Sequence, residues 1–191
     1  NSLSENIIKG NAYVSVLVGR TSNSEYEFLT GNAITYLPAG TVPYQQYING
    51  ETDNLTSVLK SMNYSATALH PYSRNTYRRE IVYPLLGFDE YVSIESFSSP
   101  RYLRYYIQDQ SDFEKIIELY EARDTSKPFF LYNVTMQNHS AYNTGKMKNN
   151  IWVTDEDGQV QKDFSEASEY LSCISYTDNA IKTLIEYFKN Q

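Results

Sequence analysis

After Pro128 the chain runs Phe129-Phe130-Leu131-Tyr132-Asn133-Val134-Thr135-Met136, with no charged side chain. Such a run is short for a helix, and it lacks the alternation of a half-solvated strand. It reads as a strand buried on both faces, the kind found in parallel sheets covered by helices. That one segment points the chain towards an α/β architecture.

The rest of the sequence alternates in the same sense. Residues 12–18 are β-rich and partly alternating, with Gly19 ending the run. A helix is predicted from Thr21 to Gly31, and residues 32–50 read as irregular around Pro38, Gly40, Pro43 and Gly50. Asn54 is placed to cap a helix carrying Leu55, Val58, Leu59 and Met62. Ser65-Ala66-Thr67-Ala68-Leu69-His70 reads as a strand ending at Pro71, and Ser111-Asp112-Phe113-Glu114 as a capping box opening a helix. Asp157-Gly158 suggests a hairpin across residues 151–162. A final helix shows the stripe Ala167, Tyr170, Leu171, Ile174, Ile181, Leu184, Ile185 and Phe188. The expected fold is a central, mostly parallel sheet flanked by helices, where ligands collect at strand ends.

Charge narrows the function. A net charge of −7 argues against nucleic-acid binding, which needs a basic footprint. Arg74, Arg78, Arg79, Arg101 and Arg104 nevertheless share one stretch, which suits a small anionic substrate or an ordinary solvated surface. Tyr occurs 19 times, and its apolar ring with a polar tip suits grooves as well as cores. The single Cys173 rules out an internal disulfide and sits among helical apolar positions, as a small core residue would. No apolar run is long enough to cross a bilayer. The chain opens without Met or a signal peptide, and it reads as an internal piece of a longer protein.

Three polar residues fall at strand ends: Thr21, His70 and His139. A threonine hydroxyl opening a helix lies where free N–H groups and the helix dipole favour an anion, although the commoner role of such a threonine is an N-cap. The hydroxyl becomes a nucleophile only when a base or a metal acidifies it. Arg79 has the fork to grip a phosphate, or it pairs at the surface with Glu80 or Asp89. His139 emerges from the apolar strand as Met136-Gln137-Asn138-His139, where a neutral imidazole can donate to a phosphoryl oxygen; a satisfied structural histidine reads the same way. No cluster with metal-ligand spacing and no glycine-rich phosphate loop is present, and the Asn-x-Ser/Thr sequons at Asn54, Asn63, Asn133 and Asn138 are read as chance.

Several ordered blocks resemble the lipoteichoic acid synthase-like phosphoglycerol transferases of the alkaline phosphatase and sulfatase superfamily. They are residues 19–32, from Gly19-Arg20-Thr21 onward; Leu37-Pro38-Ala39-Gly40; His70-Pro71-Tyr72; Tyr77-Arg78-Arg79-Glu80; Tyr83-Pro84-Leu85-Leu86-Gly87-Phe88; residues 128–139; and the helix after Glu169. Arg20, Arg78 and the pair Ser140-Ala141 depart from the family pattern, which bears on acceptor and headgroup specificity.

The resemblance implies an alkaline phosphatase/sulfatase-like α/β fold, with residues 1–191 a partial catalytic domain. It implies that Thr21 is both the nucleophile and a metal ligand, that Arg79 and His139 contact a phosphoglycerol group, and that Tyr77 lines the pocket; His70 is counted with the substrate-binding residues. It implies attack on a phosphatidylglycerol-type lipid headgroup, transfer to a polymer acceptor, and Mn²⁺ or Mg²⁺ held by further ligands outside this chain, so that this piece alone is expected to hold no catalytic metal and to show no turnover. It also implies N-terminal membrane helices and an extracellular catalytic domain on a bacterial cell membrane. Two alternatives stand beside this one: a hydrolase of the same superfamily acting on sulfate or phosphate esters, and a non-catalytic module binding anionic polymer through tyrosines and arginines. Formylglycine sulfatases need a Cys-x-Pro-x-Arg type motif, which neither Ser98-Ser99-Pro100-Arg101 nor Cys173 supplies.

Overall fold

The computed structural model describes residues 10–11, 13–16 and 19–191. In chain order the elements are α1 (Thr21–Thr30), α2 (Pro43–Gln46), α3 (Leu55–Ser61), β1 (Ser65–Leu69), α4 (Arg79–Leu85), β2 (Glu90–Val92), β3 (Tyr102–Leu103), β4 (Tyr106–Ile107), α5 (Asp109–Ala122), β5 (Phe129–Asn133) and α6 (Ser165–Lys189). They fall into two compact units. One takes the described residues up to Ser96 together with Arg123–Asn133; the other takes Phe97–Ala122 and Val134–Gln191.

The first unit is built on a parallel three-stranded sheet in the order β2-β1-β5. β1 is central because its alternating Ala66 and Ala68 are small enough to let aromatic side chains close over them; both are fully buried. Tyr83 of α4 lies at the middle of that aromatic layer, with ring centroids 4.8 Å from Tyr91, 5.3 Å from Phe88 and 6.3 Å from Tyr44. Leu29, Ile48, Val82 and Leu86 complete the core. α3 packs against β1 and α4 against β2. Three of the tyrosines, Tyr44, Tyr83 and Tyr91, are thus spent in a core, as edge-to-face rings.

Local chemistry sets the helix ends. Gly31 closes α1 at φ 69°, a conformation that costs glycine little, and its N–H donates to the Glu27 carbonyl. Asn54 opens α3 with a reciprocal box: its Oδ1 accepts from Thr56 N at 2.7 Å and Ser57 N at 3.3 Å, while Ser57 Oγ accepts from Asn54 N at 3.0 Å.

Several expectations change. Of the strand expected over residues 12–18, residues 12, 17 and 18 lie outside the described residues, and residues 13–16 form no strand. The segment after Pro128 is a strand only over Phe129–Asn133 and is half-buried throughout, because among the described residues it pairs with β1 alone. The doubly buried strand is β1.

In the second unit, α5 starts at Asp109, two residues before the predicted capping box. Ser111 sits inside the helix and accepts from Arg101 N at 3.0 Å, and Glu114 pairs with the Arg101 side chain. The hairpin is reduced to one antiparallel bridge, Thr154 with Val160, around the turn at Asp155–Gly158. The apolar stripe predicted for α6 is only partly covered: Ala167, Ile181, Leu184 and Ile185 are half-buried and Tyr170, Leu171, Ile174 and Phe188 are exposed, while the buried residues are Ser168, Glu169, Ser172, Cys173 and Ala180. That face is short and polar because it supplies acceptors to a loop with no ladder of its own. Ser168 Oγ takes Val153 N at 3.0 Å, and Ser172 Oγ takes Asn150 N and Ile151 N at 3.1 Å each. Cys173 is a buried free thiol, as its sequence context suggests.

Replacing Asn54 by Ala removes two acceptor contacts at the start of α3 and is expected to cost about 1 kcal/mol of stability, measured by urea unfolding, with the m-value unchanged.

Candidate functional site

Thr21 is the first residue of α1, and its side chain is exposed. The N-cap position belongs to Arg20, in the left-handed region at φ 64°, and no side chain caps the helix. The threonine hydroxyl is therefore not consumed as a cap, and among the described residues it makes no hydrogen bond. The start of α1 presents backbone N–H groups and the positive end of a ten-residue helix, with no acidic residue in the first turn to neutralise it.

A groove of about 410 Å³ lies beside this helix start, lined among others by Arg20, Asn23 and the run Leu37-Pro38-Ala39-Gly40-Thr41. Asn23 is 2% exposed; its Nδ2 donates to the Thr41 carbonyl at 2.9 Å, and its Oδ1 has no partner among the described residues.

One turn below Thr21, about 6 Å along the helix axis, the buried Glu25 points into the core. It accepts from Arg79 Nε at 3.2 Å, from Arg79 Nη2 and from Tyr83 Oη at 2.8 Å. Arg79 opens α4, is 1% exposed, and also donates from Nη1 to the Thr76 carbonyl at 3.3 Å. Arg79 is thus no surface arginine, and it pairs with neither Glu80 nor Asp89; Asp89 pairs with Lys60. Of its five N–H donors, three are engaged by these contacts, leaving one on each Nη. Tyr77 stacks its ring 5.2 Å from the guanidinium carbon.

The approach to Arg79 is strained. Tyr77 and Arg78 both have positive φ, 57° and 61°. Arg78 holds that conformation while donating to the Gln45 carbonyl at 3.0 Å, at the end of α2. The structure thus brings Thr21's helix, Tyr77 and Arg79 together around one carboxylate.

Burial shifts the surrounding groups. For Arg79 burial works downward, but the hydrogen bonds it donates to Glu25 and the charge of that carboxylate outweigh it and hold the guanidinium firmly protonated. Burial, then the Glu25 charge, raises Tyr44 and Tyr83 well above the ordinary tyrosine range. Burial pushes Tyr91 up to about 12.

His70 follows the C-terminal end of β1, is 3% exposed, and donates its backbone N–H to the Val92 carbonyl at 3.0 Å. Its ring centroid lies 6.1 Å from that of Tyr72.

His139 belongs to the second unit and is exposed on the loop after Met136. Its Nδ1 lies 2.8 Å from the Ser140 carbonyl, which can only accept, so Nδ1 carries the proton; Tyr106 Oη lies 3.3 Å from the same nitrogen. In that tautomer a neutral His139 presents Nε2 as an acceptor.

The arginines of the central stretch do not make a free cationic patch. Arg74 donates to the Tyr91 carbonyl at 3.2 Å, Arg78 and Arg79 are engaged as above, Arg101 pairs with Glu114, and the Arg104 side chain is fully buried.

Glu25 and Tyr106 carried no role in the sequence reading. The available signal for Glu25 was its position four residues after Thr21 and four before the buried Leu29, on one helix face. Nothing comparable marked Tyr106.

The donor set does not complete a metal centre. Among the described residues no three His, Cys, Asp or Glu are grouped to hold an ion. Thr21 offers a single oxygen where a divalent cation takes about four to six ligands, and Glu25, the carboxylate one turn away, is committed to Arg79.

The sulfatase family model matches residues 2–191. A candidate cyclic beta-1,2-glucan modification protein of Rhizobium meliloti (strain 1021) is 31% identical over 183 residues, which are 95% of this chain and 28% of that protein. The lipoteichoic acid synthase LtaP from Listeria monocytogenes superposes with a TM-score of 0.74 at 17% identity, over 93% of this chain and 42% of that one. The Streptococcus pyogenes phosphoglycerol transferase GacH, solved with sn-glycerol-1-phosphate, gives 0.71 at 20% identity, over 93% and 46%. The α/β fold expected from the resemblance is the one these structures share, and this chain spans less than half the length of each of the three proteins.

Removing the carboxylate should expose the cost of the buried guanidinium. Glu25→Ala is expected to lose about 3–5 kcal/mol in urea unfolding, and the double variant Glu25→Leu/Arg79→Met to recover most of it. Alkaline titration supplies a second check. The folded state holds the Tyr91 proton after the unfolded chain has released it, so this contribution to stability is complete below about pH 10 and falls as pH rises towards 12, and the last tyrosinate absorbance to appear, that of the buried rings, should coincide with loss of the near-UV circular dichroism signal.

Proposed function

The chain belongs to the sulfatase family, and on that footing we propose that it carries the nucleophile of a phosphoglycerol transferase, with Thr21 as the attacking group. The observation that supports this reading is the exposed start of α1 with no side-chain cap, where the Thr21 hydroxyl stands at the positive end of the helix one turn above the Glu25–Arg79 pair. The named activities of the two superposed structures point the same way.

In the proposed reaction, Thr21 Oγ1 bonds to the phosphorus of a phosphatidylglycerol-type headgroup. The phosphorus–oxygen bond to diacylglycerol breaks, and diacylglycerol leaves as the alcohol with the proton. An acceptor hydroxyl then attacks the phosphoglyceryl-threonine and returns the threonine as its alcohol. The helix start holds the phosphoryl oxygens through backbone N–H groups. The two unengaged N–H groups of Arg79 suit the same oxygens. Its charge is balanced by Glu25, so it orients by geometry more than by net attraction.

For Tyr77 and His139 the proposal follows the resemblance: Tyr77 lines the pocket and His139 contacts the phosphoglycerol group, while His70 is counted with the substrate-binding residues. Mn²⁺ or Mg²⁺ enters the proposal with Thr21 as one ligand and the others outside this chain; such an ion would polarise a phosphoryl oxygen and acidify a bound hydroxyl. The membrane-facing, extracellular setting is likewise part of the proposal. Among the described residues no helix is long and apolar enough to cross a membrane.

The relative at 31% identity is named for a glucan, and that favours a glucan hydroxyl as the acceptor over a growing glycerol phosphate polymer.

The test is product analysis on the intact protein with headgroup-labelled phosphatidylglycerol. Transfer predicts label in an acceptor glycan and a covalent phosphoglyceryl adduct on Thr21, seen by peptide mass spectrometry. Thr21→Ala should lower turnover by roughly 10³-fold or more, and Thr21→Ser should keep a measurable fraction. Free glycerol phosphate as the sole product would replace transfer with hydrolysis, and full activity in Thr21→Ala would end the proposal.

A further inference from the structure

β3 and β4 pair Tyr102 with Ile107 and Leu103 with Tyr106, leaving Arg104 and Tyr105 as a two-residue turn. Arg104 has φ 58° while Tyr105 is not in the left-handed region, a pattern in which glycine ordinarily fills the first position. An arginine in that place strains the backbone, and its side chain is fully buried. Both features call for an explanation in what the guanidinium touches.

It touches one loop, through alternate carbonyls. Nη2 donates to Gln137 O at 2.8 Å and to His139 O at 2.9 Å, and Nη1 donates to Ala141 O at 2.5 Å. Nε faces Glu169 Oε1 at 3.8 Å, and Glu169 is itself held by Thr144 N and Oγ1 at 2.9 Å each. The guanidinium carbon lies 4.8 Å from the Tyr142 ring and 5.9 Å from the Tyr106 ring. With the carbonyls of residues 137, 139 and 141 drawn to one cation, the intervening Ser140 carbonyl is left for His139 Nδ1 at 2.8 Å and Tyr106 Oη at 3.0 Å.

We infer that Arg104 is a positioning residue for His139: by gathering the three alternate carbonyls it hands the fourth to the imidazole, which fixes the Nδ1–H tautomer and leaves Nε2 as the acceptor. A lysine cannot reproduce this, because its point charge has no planar fork to engage three carbonyls at once. The consequence for turnover rests on the phosphoglycerol-transfer reading; the positioning itself does not.

Two measurements separate the two. Long-range ¹H–¹⁵N correlation at a pH where the imidazoles are neutral reports the tautomer of each histidine, and the chain has only His70 and His139, told apart by His70→Gln. The wild type is expected to show His139 as Nδ1–H. Arg104→Gly relieves the turn while deleting the clamp, and it is expected to fold and to shift His139 towards the Nε2–H form. Arg104→Lys keeps the cation and is expected to give a mixture. In the intact protein both variants should lower kcat roughly tenfold to a hundredfold with a smaller change in KM. A wild-type His139 tautomer in either variant overturns the inference. A shifted tautomer together with wild-type protein that transfers no phosphoglycerol leaves Arg104 in its positioning role and removes the transfer reading instead.

Discussion

The first unit depends on a carboxylate and a guanidinium taken out of water together. Glu25 and Arg79 are both nearly inaccessible, and each is costly to bury alone. Their pairing is geometric as well as electrostatic. A two-point fork fixes orientation, Tyr83 adds a third donor on Oε2, and Tyr77 covers the guanidinium. Because Glu25 lies on α1 and Arg79 opens α4, the pair sets where the start of α1 stands against the strained turn at Tyr77 and Arg78. An apolar pair of equal volume would serve stability as well; what it would not supply is a defined direction for two N–H groups.

In the second unit the same logic is applied to the backbone. The loops there have almost no ladder, so their backbone groups are met by side chains. Ser168, Ser172 and Glu169 on α6 accept N–H groups, while Arg104 collects carbonyls. Gln137 ties the loop to α5 and α6, accepting from Asp109 N at 2.9 Å and donating to the Cys173 carbonyl at 3.1 Å. This accounts for a long helix that buries short polar side chains and leaves Leu171 and Ile174 exposed. Satisfying backbone polarity outweighed the apolar stripe.

Elements marked by local chemistry were legible. Gly31 and Asn54 announced the end of one helix and the start of another, and the Ser65–Leu69 run announced the central strand, because capping and short-range pattern act over a few residues. The parallel sheet followed from the order of strands and helices. The extent of β5 was not legible, since burial of a strand depends on its neighbours: Tyr132 and Asn133 look the same in sequence with one partner or two. The opening of α5 was misplaced because Ser111 had a better use as an acceptor for Arg101 N than as a cap.

The sequence alone determined the fold class, the placement of Thr21 at the start of a helix and, through ordered blocks, the family. These depend on residues near one another in the chain. The tertiary structure decided the rest. It made Arg79 a core residue paired 54 positions away with Glu25, took Arg104 out of any cationic patch, and set the Ser140 carbonyl beside Nδ1 of His139. Such outcomes are settled by which charged or polar groups find each other once water is excluded, and linear spacing holds no record of that contest.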